Sequence, residues 1–193
     1  MKHPCKRFFS AILVLISCLL EPFAARPTTL IQLSLAQLTS AASSIVVAEC
    51  TGVQTLWRDG EIWTATSFRA EEVWKGELPK EFQVWILGGS SGAMTSYVPG
   101  APRFRRDEEA VIFLETTRSG FLSITAWGEG TFRLRRDPLT GVSRVTQDTA
   151  SVPVFQNAAR QFRSEGIRDF PLEELKSRIF AIESRESTQR RKK

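Results

Sequence analysis

Ile45-Val46-Val47-Ala48-Glu49-Cys50 opens a run that reaches Trp57, Arg58-Asp59-Gly60-Glu61 interrupts it, and Ile62 to Trp74 returns. This stretch decides the fold. Asp-Gly between two runs rich in β-branched and aromatic residues suits a type I′ turn, because both central residues take positive φ there. A two-residue turn sets the register, so that Arg58 opposes Glu61, Val53 opposes Thr66 and Ile45 opposes Trp74. One face then gathers Ile45, Val47, Val53, Trp57, Ile62, Phe68 and Trp74, with Glu49 and Glu72 interrupting it. Gly52 marks a bulge position that lets a long strand coil.

Further strands follow toward the C-terminus. Glu81 to Leu87 alternates Phe82, Val84 and Ile86 with Gln83 and Trp85. Glu109 to Glu115 is almost wholly apolar, Phe121 to Trp127 follows the Ser119-Gly120 turn, and Thr131 to Arg136 ends at the turn Asp137-Pro138-Leu139-Thr140-Gly141. Upstream, Ser34 and Gln37 have capping-box spacing before a short helix from about Leu35 to Ala42. Asp169 caps a terminal helix with Pro171 in its first turn and Leu172, Leu175, Ile179, Phe180 and Ile182 on one face. The expected fold is mainly β: a small antiparallel OB-like barrel of about five or six strands, flanked by a short N-terminal helix and a C-terminal helix. Residues 26–145 form the barrel domain, 146–168 a linker, 169–185 the helix and 186–193 a basic tail.

Residues 1–25 read as an export signal. Lys2, Lys6 and Arg7 precede the apolar run Phe8 to Leu20, Glu21-Pro22 ends it, and Ala24-Ala25 offers small residues for cleavage. Leu15-Ile16-Ser17-Cys18 competes as a lipobox in which Cys18 is lipidated. The expected location is therefore secreted or periplasmic, or the cell envelope, with membrane contact only through this segment or a lipid on Cys18. The sole histidine of the 193 residues is His3, inside that segment. The remainder has no histidine for a Ser-His-Asp or Cys-His mechanism or for a His-ligated zinc. Cys5 and Cys18 also lie there, which leaves Cys50 as a buried structural thiol. Lys2, Lys6 and Arg7 against Glu21 carry +2 of the formal +5, and Arg190, Arg191, Lys192 and Lys193 carry +4, so the body stands at −1. That balance argues against nucleic acid as a partner.

Four stretches carry a family resemblance: Ser44-Ile45-Val46-Val47-Ala48-Glu49, then Phe68-Arg69-Ala70-Glu71-Glu72-Val73-Trp74-Lys75-Gly76, Gly88-Gly89-Ser90-Ser91-Gly92 and Glu108-Glu109-Ala110-Val111-Ile112-Phe113-Leu114. From Ala42 to about Asp137 the chain resembles the netrin-like domain of the tissue inhibitors of metalloproteinases and their bacterial relatives. The resemblance implies an OB-type barrel. The inhibitors' zinc-chelating N-terminal cysteine has no counterpart, because export leaves a residue near Arg26, and lipidation of Cys18 acylates its amine.

Paired carboxylates, Glu71-Glu72 and Asp107-Glu108-Glu109, are the candidates for enzyme chemistry, but strand neighbours point to opposite faces, and a Ser-Lys hydrolase stays open with no spacing that points to it. Gly88-Gly89-Ser90-Ser91-Gly92 lacks the Lys-Ser/Thr of a P-loop. The expectation is a non-enzymatic module without cofactor or metal that binds an extracellular or periplasmic protein, an extracellular protease being the candidate, through the loop Gly88 to Arg106. Gly88, Gly89, Ser90, Ser91 and Gly92 hinge that loop, and Met94, Tyr97 and Phe104 are its contacts. The loop's alternative role is to cover a barrel mouth. The alternative function is a carbohydrate or polyanion binder that uses tryptophans, all five between Trp57 and Trp127, with Arg69, Arg103, Arg105 and Arg106.

Overall fold

The computed structural model describes residues 33–151, 154–156, 161–163 and 166–190. The stretch 1–25 read as an export signal, Cys18 within it and the last three residues of the basic tail lie outside the described residues. The chain is mainly β, with a short helix α1 (Leu35–Ala41) before the strands and a long helix α2 (Leu172–Arg190) after them. Ser34 caps α1 as its spacing implies: Ser34 Oγ accepts the N–H of Gln37, and the Gln37 side chain accepts the N–H of Ser34.

The strands of the hairpin are β1 (Ser44–Arg58) and β2 (Glu61–Lys75). Asp59 (φ 52) and Gly60 (φ 82) both take the positive φ that a type I′ turn needs. Arg58 faces Glu61 and Val53 faces Thr66, as the turn dictates. Three irregularities then shift the register, the first between Cys50 and Gly52, so that Ile45 meets Lys75 rather than Trp74. Each leaves a residue without an opposite number and adds twist. The coiled β1 also pairs along its second edge, Ser44 to Glu49, with β6 (Glu109–Thr116).

Next come β3 (Glu81–Leu87), the two-stranded flap β4 (Gly89–Ser91) and β5 (Met94–Ser96), β6, β7 (Leu122–Ile124), β8 (Thr131–Arg136) and β9 (Ser143–Gln147). A second small hairpin, β10 (Val154–Gln156) with β11 (Gln161–Arg163), occupies the stretch read as linker. The bridge β12 (Phe170–Pro171) closes on β9. The main sheet has eight strands, more than the five or six expected. Within it the pairings run β1–β2–β3–β7–β6 and return to β1. The β3–β7 contact is parallel and rests on one pair, Val84 with Leu122.

Two clusters divide the core. Val46, Ala48, Cys50, Phe68, Phe82, Val84, Phe104 and Ile112 form one. Ile45, Val47, Trp74, Val111, Phe113 and Phe132 form the other with Leu38 of α1 and Leu175 and Ile179 of α2. The near-continuous apolar runs of β1 and β6 are thereby explained: both faces of these strands are buried. The single core face expected for the hairpin splits accordingly. Ile45, Val47 and Trp74 join one cluster, Phe68 the other, and Val53 and Trp57 are exposed.

Other expectations shift locally. The strand read over Phe121 to Trp127 shrinks to Leu122–Ile124, because Ala126 (φ 51) and Trp127 (φ 54) turn left-handed into a short 3₁₀ segment, Trp127–Gly130. Asp169 (φ 45) does not cap α2; its carboxylate takes Arg144 Nε at 2.7 Å, and Pro171 lies in β12. Phe180 is exposed because it lies one position round from the stripe of Leu175 and Ile179. Among the described residues no helix is long and apolar enough to cross a membrane.

One buried carboxylate gives a pH prediction. Glu129 is 2% exposed, and its Oε2 accepts the N–H of Leu33 at 3.0 Å. Burial raises its pKa above the usual carboxylate range, against the lowering effect of that bond. The folded state thus prefers the protonated acid. Stability from this group is full below the unfolded pKa and is lost as pH rises through the folded one. Urea midpoints of Glu129→Gln, compared with the parent from pH 4 to 8, should show the parent losing ground at the upper end. A constant difference across that range would contradict this.

Candidate functional site

The free end of the β1–β2 hairpin carries different structures on its two faces. Strand alternation puts Thr55 and Thr64 on one face and Arg58, Glu61 and Trp63 on the other. The flap β4–β5 covers the first. Gly88 donates its N–H to Ile62 O (2.7 Å), and its own carbonyl accepts Thr64 Oγ1 (2.6 Å). Gly89 lies so close that a Cβ would stand 2.5 Å from Thr64 Oγ1 and 2.7 Å from Thr55 Cγ2, at φ +143. Gly89→Ala should therefore cost about 1–2 kcal/mol through backbone strain and overlap, readable in a urea titration. A neutral result would mean that the flap does not sit on the hairpin.

The expected contact loop is thus ordered as this flap. Ser90 Oγ and Thr95 Oγ1 bond at 2.9 Å, and Gly92 (φ 59) forms the tip with Ala93. Ser91 is half-buried. Met94 and Tyr97 project, 57% and 76% exposed. Phe104 is the correction. It is 6% exposed, and its ring meets Phe68 edge-on at 4.9 Å, so it belongs to the core and offers no contact to a partner. The Arg133 guanidinium lies 4.1 Å above the ring and covers it on that side.

The second face forms a groove of about 350 Å³. Arg58, Asp59 and Glu61 supply its rim at the hairpin turn, Trp63 comes from β2, and Trp85 and Leu87 from β3. The far wall is Thr117, Ser119 and Phe121 of the β6–β7 turn, Ser123 of β7 and Trp127. The groove exists because β3 and β7 meet at only one pair before they diverge. Trp85 and Phe121 lie 5.7 Å apart, and the Arg58 guanidinium stands 4.9 Å over Phe121 and 5.6 Å over Trp85. Three of the five tryptophans converge here, whereas Trp74 is core and Trp57 is exposed elsewhere.

The arginines singled out from the sequence do not join this aromatic cluster. Arg69 binds Glu49 and Glu71, and Arg103 donates to Ser96 O at 3.0 Å. Arg58 does join it, although the sequence marks it only as a turn residue. The available signal is that Arg58 opposes Glu61 across a two-residue turn, and Glu61 shares a face with Trp63 two positions on. Three of the paired carboxylates, Glu71, Glu72 and Glu108, are taken up by cations. Arg69 holds Glu71 below its usual pKa and Lys176 does the same to Glu72, while Glu108 Oε2 takes Arg133 Nη1 at 2.8 Å. Cys50 is buried, and desolvation pushes its thiol pKa up. Among the described residues no three acidic, His or Cys side chains come together as a metal site. No family model and no curated protein matches the chain.

Proposed function

We propose that the chain is a non-enzymatic binding module of OB-like build, exported from the cytoplasm, that holds its ligand in the aromatic groove. The returning ring of pairings, with its antiparallel hairpins and one parallel contact, supports an OB-like barrel of β1, β2, β3, β6 and β7. The pattern from Ala42 to Asp137 supports a netrin-like variant of it, and the basic and apolar make-up of residues 1–25 supports export. One observation carries the site. Barrels of this type bind oligonucleotides and oligosaccharides on their second and third strands and on the loops after the first and fourth. Trp63, Trp85, the Arg58–Glu61 turn and the Thr117–Phe121 turn are those elements here.

The test is chemical-shift mapping of the full chain against cellotetraose, oligothymidylate, heparin fragments and a proline-rich peptide. The indole N–H signals of Trp63, Trp85 and Trp127 should move together for at least one of them. Silence of all three indoles under every probe would reject the groove as the site.

A second reading is favoured by Met94 and Tyr97, two large side chains on a flap fastened at its base. Such a knob suits capture of an extracellular protein, a protease included, without zinc chelation. Met94→Ser with Tyr97→Ser should leave the fold intact and abolish inhibition in a panel of secreted proteases. Unchanged inhibition, or none by the parent, removes this reading.

A further inference from the structure

On the reading that the groove is the ligand site, we propose that its ligand is an uncharged saccharide whose ring lies on the Trp85–Phe121 platform. The floor is aromatic, and such surfaces accept the C–H faces of a flat amphipathic ring. The rim is polar in a way that a wholly apolar ligand would waste. Arg58 makes no side-chain hydrogen bond among the described residues, and its one ion contact is Nε to Asp59 Oδ2 at 3.4 Å. Its fork of N–H donors is held over the platform by the two rings beneath it. Asp59 and Glu61, beside it on the rim, are acceptors. Donors and acceptors bordering an aromatic floor match a ring that carries hydroxyls at its edge and C–H bonds on its faces.

Charge decides between saccharide and polyanion. One guanidinium stands with two carboxylates at the rim, so the turn is net negative. A phosphate or sulfate chain would meet Asp59 and Glu61 before it could profit from Arg58, and the body of the chain adds no basic field. A neutral ring pays no such repulsion. At about 350 Å³ the groove is at the small end of ligand sites, fitted to one short stretch of a glycan rather than a long chain.

Calorimetry of the full chain with cellotetraose, chitotetraose and maltotetraose, beside heparin fragments and oligothymidylate, tests this at two salt concentrations. At least one neutral tetrasaccharide should bind with an affinity that salt does not change. Phe121→Ala should weaken it about tenfold or more, the loss of one stacking surface. Arg58→Met lies on the exposed turn and keeps the hairpin. It should weaken binding comparably while the melting temperature holds, which covers the case in which Phe121→Ala disturbs folding. Binding of heparin or oligothymidylate alone, weakened by salt, would overturn the saccharide and leave the groove as the site. Binding of none of the five would overturn this inference; silent indoles in the shift mapping would bring down the groove as well.

Discussion

Phe68→Ala is expected to cost about 3–5 kcal/mol, the range for emptying a buried aromatic position. Phe68 has no exposed surface. Its ring lies stacked on Phe82 (5.5 Å, interplanar 19°) and edge-on to Phe104 (4.9 Å, 89°). These three rings join β2, β3 and the segment that leads into β6, so the vacancy opens where three parts of the chain meet. Neighbouring side chains are themselves fixed by strand pairing, with Cys50 and Phe82 opposite Phe68 on its two sides. Little collapse can fill the gap. Domains hold about 5–15 kcal/mol in total, so the variant should sit near the edge of folding at physiological temperature. Phe68→Leu keeps most of the volume and should lose under about 2 kcal/mol. Urea unfolding of both variants reads the difference. If alanine and leucine cost the same, the aromatic cluster is not the centre of this core.

How far the sequence discloses this architecture depends on how local the controlling interactions are. The Asp59-Gly60 turn, the Ser34 and Gln37 cap and the run Glu81 to Leu87 were all readable, because each is set by residues within a few positions of one another. Ile45 and Trp74 were misaligned for a different reason. Their register is governed by bulges, and a bulge depends on what β6 and the helices require of the coiled strand. The pairing of β8 with β9 was hidden because Ser143–Gln147 is short and its one buried apolar residue, Val145, leaves almost no period. Phe104 illustrates the same limit at the site. In a stretch full of glycine, serine and proline it looks like an exposed contact. Its burial is decided by Phe68, thirty-odd residues earlier, and by Arg133 further on. The groove was half legible: the tryptophans were visible, but Trp63, Trp85, Phe121 and Arg58 converge only through strand order. Even so, the alternation that sends Arg58 and Trp63 to one face was already implied by the turn.

Arg133→Ala should cost about 2–4 kcal/mol, second only to the loss of Phe68. Four of its five N–H donors are engaged. Nε and Nη2 grip both oxygens of Asp148 at 2.7 Å, Nη1 binds Glu108 at 2.8 Å, and Nη2 also donates to Arg103 O at 2.7 Å. The two-pronged hold on Asp148 is the geometry a planar fork provides and an ammonium cannot. Alanine would leave two partly buried carboxylates facing each other's charge and would uncover Phe104. The magnitude sits below that of a fully buried pair because Arg133, Glu108 and Asp148 retain 25%, 36% and 22% side-chain exposure. Arg133→Lys should recover less than half of the loss, since it restores the charge without the fork. Arg133→Met, which restores the stem over Phe104 without charge, separates packing from pairing. The consequence also reaches the groove. Glu108 Oε2 accepts the Arg105 N–H at 3.0 Å, and the same connection carries Pro102 and Gly100, whose carbonyl takes the Gly128 N–H at 2.9 Å. Pro102 also lines the groove beside Trp127, so loosening Arg133 should free that part of the wall and raise amide exchange at Gly128 before the strands of the hairpin exchange. Equal protection of Gly128 in parent and variant would show that the charge cluster stabilises the fold without steadying the site.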